Sequence, residues 1–234
     1  MDVGGNIRLY LQDLQPGSRY ASFDYCFNYF QSFRENGCLE SLADPANMQL
    51  SCLQLGFFLA SWGMYHNSFL LQKSVAVYEP LICYIAKADC ALWQIDVGSY
   101  NVGDNVDRLM KSKSMIKKSL SKGGNASDTL VTKIMLGVFG NVPAFDTYFE
   151  KGLKIFGKGV KSLHKVAEFY NDESNQAIID AAVDKYNLRT WDFASRKKTC
   201  RKYTKAKVID MVGFIEGQSL KPKAADGVRP DAHH

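Results

Sequence analysis

Apolar residues return at every third or fourth position along almost the whole chain, the spacing of one helical face. Val/Ile/Thr-rich runs separated by hairpin turns, which would mark strands, are missing. The pattern predicts an all-α protein. Its first firm helix is expected over about 20–35, where Phe23, Phe27, Phe30 and Phe33 form one stripe and Asn36-Gly37 supplies a stop. Asp44-Pro45 then opens a second helix, with Asp as N-cap and Pro at the first helical position, running to about 64. Beyond the turn at 62–68, further helices are expected near 69–72, 75–87, 106–122, 128–139, 144–156, 160–170, 175–186 and 205–216. From 221 to 234 the chain is Pro, Gly, Ala and charge, which reads as a flexible tail.

A chain of 234 residues, 46% of them apolar, can bury a substantial core. The net charge of +5 allows an anionic partner without requiring one, so clustering matters more than the total. Lys111, Lys113, Lys117, Lys118 and Lys122 make a basic helix end. Arg196, Lys197, Lys198, Arg201, Lys202, Lys205 and Lys207, interleaved with Tyr203, make a second and denser cluster that could follow a phosphate backbone. Both also read blandly, as lysines that suit a helix C-terminus and as a solubilising loop. The six scattered cysteines, Cys26, Cys38, Cys52, Cys83, Cys90 and Cys200, show no Cys-x-x-Cys spacing and suggest buried thiols in a reduced, cytoplasmic protein. No metal or other cofactor is expected. The longest uncharged apolar run, 50–65, is too short and too interrupted to span a membrane.

The segment richest in chemistry joins the first basic cluster to an acid. After Lys122 come Gly123, Gly124, Asn125, Ser127 and Thr129, then an apolar helix, a loop carrying Pro143, and Asp146 in the sequence Phe-Asp-Thr-Tyr. This order of basic helix, Gly turn, helix, short loop and Asp resembles the helix-hairpin-helix DNA glycosylase superfamily. In that family the hairpin amides hold a DNA phosphate and an Asp beyond the second helix does the chemistry. The interval from Asp128 to Asp146 fits that arrangement, and Phe-Asp-Thr-Tyr resembles the family's Val-Asp-Thr-His. Two departures stand out. The family hairpin reads Leu-Pro-Gly-x-Gly, whereas these glycines are adjacent. The Lys of strand-cleaving members is missing near Asp128, with Lys133 about a turn late.

The resemblance implies a two-lobed helical fold, with one lobe over 36–142 ending in the hairpin and a second built from 1–35 and 143–220, Asp146 lying in the cleft between them. It implies a monofunctional DNA glycosylase acting on double-stranded DNA, with Asp146 catalytic and an abasic site as product, acting as a monomer without an iron–sulfur cluster. The target would be a damaged base or a bulky modified one such as phage DNA carries, which leaves repair and phage defence both open. The phosphate grip would come from Lys117, Lys118, Lys122, Gly123, Gly124, Asn125, Ser127 and Thr129, joined by Arg196, Lys197, Lys198, Arg201 and Lys202.

A flipped base must be read by stacking and polar contacts, which makes Trp62, Tyr65, His66, Asn67 and Gln72 candidates, with Tyr20 and Asp24 from the first helix. Aromatics are also routinely core, and an Asp in the first turn of a helix is also a dipole-stabilised residue. Two other classes therefore stay open: a non-catalytic DNA-binding protein and a helical protein-interaction domain.

Overall fold

The computed structural model describes residues 1–220; the expected tail lies outside the described residues. Among the described residues ten α-helices carry the fold: α1 (Val3–Asp13), α2 (Ala21–Glu35), α3 (Pro45–Ser61), α4 (Glu79–Ala86), α5 (Asn105–Leu120), α6 (Asp128–Phe139), α7 (Thr147–Leu153), α8 (Val160–Asn171), α9 (Glu173–Lys185) and α10 (Lys205–Ser219). Helices α1, α7 and α9 pack on α10, with α1 also on α9, and α3 to α6 pack as a second group. Helix α2 lies on both α3 and α6. One hydrophobic cluster from Val3 to Ile215 runs through both groups.

Two helices are buried nearly all round, which places them at the centre. Every residue of α6 from Leu130 to Phe139 is buried, as is α10 from Ala206 to Phe214. Helix α6 ends at Gly140, whose left-handed φ of 69° lets its N–H return to the carbonyls of Leu136 and Met135. Helix α7 then lies directly against α10. A Cβ on Gly152 would come within 2.1 Å of the Gly213 carbonyl, and one on Gly217 within 1.9 Å of the Tyr148 carbonyl, so bare backbone is what lets these helices touch.

The helical expectation holds for the large elements, and the Phe stripe of α2 is buried at Phe23, Phe27 and Phe30. Several details differ. Residues 189–202 form a small antiparallel hairpin, β1 (Arg189–Trp191) with β2 (Lys198–Lys202), where no strand was expected. Its strands are short, β2 carries two lysines and an arginine, and it is fastened to α2 through side chains rather than by an apolar face. Asp24 accepts the Trp191 N–H at 2.9 Å, while Asn28 donates to the Trp191 carbonyl at 2.9 Å and accepts from Thr190 Oγ1 at 2.7 Å.

Helix α1 also went unread, because Gly4 and Gly5 are poor helix formers. Asp2 caps it by accepting the Gly5 N–H, and Val3, Ile7 and Tyr10 are buried along it, where it packs on α10. The helix expected at 69–72 is a single 3-10 turn, the one expected over 75–87 divides into a 3-10 turn at Val75–Tyr78 and α4, and the one expected over 144–156 shortens to α7, because Asp146 takes an extended cap conformation. The thiols are only partly buried: Cys26 and Cys52 are inside, whereas Cys83, Cys90 and Cys200 are exposed. Among the described residues no helix is long and apolar enough to cross a membrane.

Candidate functional site

The loop 140–146 between α6 and α7 is held on three sides. Asn141 donates to the Leu92 carbonyl, and its own carbonyl accepts from the Tyr100 hydroxyl at 2.6 Å. The Ala144 N–H donates to Asp210 Oδ1 at 3.0 Å, and the Phe145 N–H to Thr132 Oγ1 at 3.1 Å. The Phe145 carbonyl accepts from Thr129 Oγ1 at 3.1 Å, which ties this loop to the hairpin at the start of α6.

This scaffold fixes Asp146 as the N-cap of α7. Its Oδ1 accepts the N–H groups of Tyr148 and Phe149, each at 3.0 Å, and its Oδ2 accepts from Lys133 Nζ at 2.9 Å. The Lys133 side chain is 4% exposed and that of Asp146 17%. A second pair lies alongside. Lys207 Nζ, on α10, meets Asp210 Oδ2 and the Tyr10 hydroxyl, each at 3.0 Å, and is almost fully buried.

Trp62, just past α3, joins the two pairs. Lys133 Nζ lies 5.1 Å from its ring centroid, Lys207 Nζ 5.5 Å, and the Arg19 guanidinium 5.4 Å. These distances are in cation–π range. Trp62, Lys133, Asp146, Lys207 and Asp210 line one cavity of about 10 Å³, the room of a single water and far short of a base.

Of the residues expected in a base pocket, Trp62 alone lines this cavity, with the Tyr20 ring packed 5.6 Å from it. The others lie elsewhere. Tyr65 accepts a hydrogen bond from the Tyr78 hydroxyl at 3.0 Å, while His66, Asn67 and Gln72 are exposed. Asp24 is fully buried, accepting from the Tyr203 hydroxyl at 2.6 Å as well as from Trp191. Burial pushes its carboxyl up to about 6, with those two hydrogen bonds opposing the rise.

At the hairpin, Gly123 and Gly124 have a packing reason to be glycine: a Cβ would meet Val77 at 2.6 Å and Phe69 at 2.5 Å. Ser127 caps α6 by accepting the Leu130 N–H, and Asn125 is exposed. Lys117, at 3.2 Å, and Lys113, at 2.9 Å, both hold Asp128. Burial favours the neutral form of that carboxyl, but the two lysines outweigh it and keep the group below its usual range. Lys118 and Lys122 stand in solvent with no carboxylate partner among the described residues.

In the second basic cluster most cations are already engaged. Arg201 meets both oxygens of Glu35, Lys202 meets Asp184 and Lys205 meets Asp180. Lys198 donates to the Arg189 carbonyl and lies 4.4 Å over the Trp191 ring. Arg196 and Lys197 remain exposed at the hairpin turn.

Lys133, Lys207 and Asp210 were missed as site residues. The signal was present: a lone Lys inside the apolar run of α6, and a Lys–Asp pair three apart inside that of α10, need buried partners. Comparison with family models, with curated proteins and with solved structures gives no match for this chain.

Proposed function

We propose that the chain is a monofunctional DNA glycosylase, with Asp146 as the carboxylate that promotes base loss from duplex DNA. One observation carries the reading: two buried Lys–Asp pairs, Lys133–Asp146 and Lys207–Asp210, share the Trp62 ring at the start of α7. Burying paired charges costs several kcal/mol per ion before their attraction repays it, and apolar residues of like size would hold these helices together as well. Such costly groups around an aromatic face are suited to chemistry. The hairpin supports the same reading, since Thr129 ties it to the Asp146 loop while Lys118 and Lys122 stay free for phosphate contact.

In this mechanism the departing base takes the electron pair of the glycosidic bond, and positive charge develops on the sugar. The Asp146 carboxylate stabilises that charge and accepts a proton from the water that attacks the anomeric carbon. The base leaves protonated from solvent and the strand stays intact as an abasic site. Lys133, about a turn late for the Lys of strand-cleaving members, lies in bonding contact with Asp146. Held in an ion pair it acts as an ammonium that balances the carboxylate rather than as an amine nucleophile. The closed cavity makes opening a step of the cycle: Trp62 must swing away before an extruded base can enter, with Lys133 staying paired to Asp146.

A second reading, a non-catalytic DNA-binding protein, is favoured by one fact: both Asp146 oxygens are already engaged in capping and pairing. Duplexes bearing oxidised, alkylated or bulky modified bases separate the two. The glycosylase reading expects released base, no adduct trapped by borohydride, and loss of at least about a hundredfold in rate for Asp146→Asn. Asp146→Asn also strands Lys133 in a buried site, so the double variant Asp146→Asn/Lys133→Met keeps the charge balanced and must be equally inactive. Base release by either variant at the wild-type rate, or none by the wild type on any of these substrates, defeats the reading.

A further inference from the structure

A far larger cavity, about 1000 Å³, lies between α2, the outer face of α3 and the β1–β2 turn, and none of its lining residues shares the Asp146 cavity. Its volume is at the upper end of what small-molecule sites enclose. Two features of its walls are unusual for a bare surface. Phe57, on α3, is 68% exposed and Phe193, on the hairpin turn, is 63% exposed, so two aromatic rings reach solvent in one cavity, Phe193 with one face under Arg196. Three arginines line it against a single acid, Asp192. Arg201 is neutralised by Glu35, but Arg19 and Arg196 have no carboxylate partner among the described residues.

The mount of Arg196 is itself costly. Its backbone sits at φ 56°, in the left-handed region where non-glycine residues are uncommon. Its guanidinium lies 4.7 Å over the Phe193 ring, with weak bonds to the Tyr25 hydroxyl at 3.3 Å and the Pro16 carbonyl at 3.4 Å. Tyr25 in turn meets Phe193 edge-on at 5.2 Å. The result is a fixed cation beside a fixed stacking surface, with Asn28, Gln54 and Thr199 adding polar contacts along the walls.

We propose that this cavity is a nucleotide site, which takes a planar base against Phe57 and Phe193 and the attached phosphate on Arg196 and Arg19. Open aromatic faces with unpaired guanidinium groups match a ligand that is at once ring-bearing and anionic, and stacking accepts any base. The same nucleoside phosphate chemistry comes from two sources, a stretch of single-stranded DNA or a free mononucleotide. The site stands apart from the Asp146 chemistry and does not rest on it, although Arg19 touches the Trp62 ring from this side.

The test is binding of a short labelled oligo-dT strand, and separately of dTMP and dAMP, to the full chain and to Phe57→Ala, Arg196→Gln and Arg19→Gln. All three side chains are exposed, so the variants are expected to fold, and circular dichroism checks this. Loss of about tenfold or more in affinity is expected for Phe57→Ala and for Arg196→Gln, because one base stack and one phosphate contact are removed. Preference for the strand assigns the site to DNA; preference for the mononucleotides assigns it to a free nucleotide. Asp146→Asn should bind either probe as the wild type does, which keeps this result separate from the glycosylase test. Wild-type failure to bind both probes, or unchanged affinity in the Phe57 and Arg196 variants, overturns the proposal.

Discussion

The two basic stretches resemble each other as text and have opposite fates in the fold. The one ending α5 leaves Lys118 and Lys122 in water and commits only Lys113 and Lys117, both to Asp128. The one from Arg196 to Lys207 is consumed by the protein. Four of its cations hold Glu35, Asp184, Asp180 and Asp210, Lys198 bonds a backbone carbonyl, and only the turn at Arg196 and Lys197 stays open. The difference lies in what each stretch packs on. The end of α5 buries Ile116 and Leu120 and turns its lysines outward, whereas the hairpin lies on α2 and leads into α10, one of the two helices buried nearly all round. A run of positive charge therefore says little about a phosphate surface until the carboxylates near it are known.

The strongest way to break this contrast is at Lys207. Replacing it by Met leaves Asp210 buried without its cation, and a loss of about 3–5 kcal/mol is expected in urea unfolding. Lys202→Ala, in the same cluster but exposed, should stay within about 0.5 kcal/mol. Equal losses at the two positions would mean that burial does not separate them.

A smaller effect, set by pH, tests the acid beneath the hairpin. Because burial raises the Asp24 carboxyl to about 6, the folded protein holds that proton more tightly than the unfolded chain does. The contribution is present below the unfolded value near 3.8 and is lost as pH rises through about 6, on the order of 2–3 kcal/mol. Thermal unfolding at stepped pH should show this slope in the wild type and not in Asp24→Asn. The same slope in both proteins would place the titrating group elsewhere.

The gentlest test concerns the free stretch. Lys117→Ala with Lys118→Ala should change stability by no more than about 0.5 kcal/mol, since the Asp128 contact is partly exposed. On the proposed function it should weaken binding to all duplex sequences alike and reduce the salt slope by about one counterion, since of the two only Lys118 is not already paired to a carboxylate among the described residues. An unchanged slope would move the DNA footprint to the turn at Arg196.

Much of the helical layout was legible from periodicity, because α2, α6 and α10 bury stripes or whole surfaces that repeat with the helix turn. Asp146 was legible too, as an acid after a Pro-bearing loop at a helix start. Its partner was not: Lys133 was set aside on sequence offset, yet the loop folds back along α6 and brings the two within 2.9 Å. The hairpin escaped notice because side chains of α2 hold it, so no alternating pattern was required. The large cavity escaped notice as well, since its walls come from segments as distant as Arg19, Phe57 and Arg196.

By itself the sequence determined that the chain is helical, where its main helices begin and which acid follows the longest buried run, since these depend on local spacing and capping. Only the tertiary structure decided which charges are paired, which are free and where open space remains. Those outcomes depend on through-space distance between segments far apart in the chain, and neither composition nor periodicity records it.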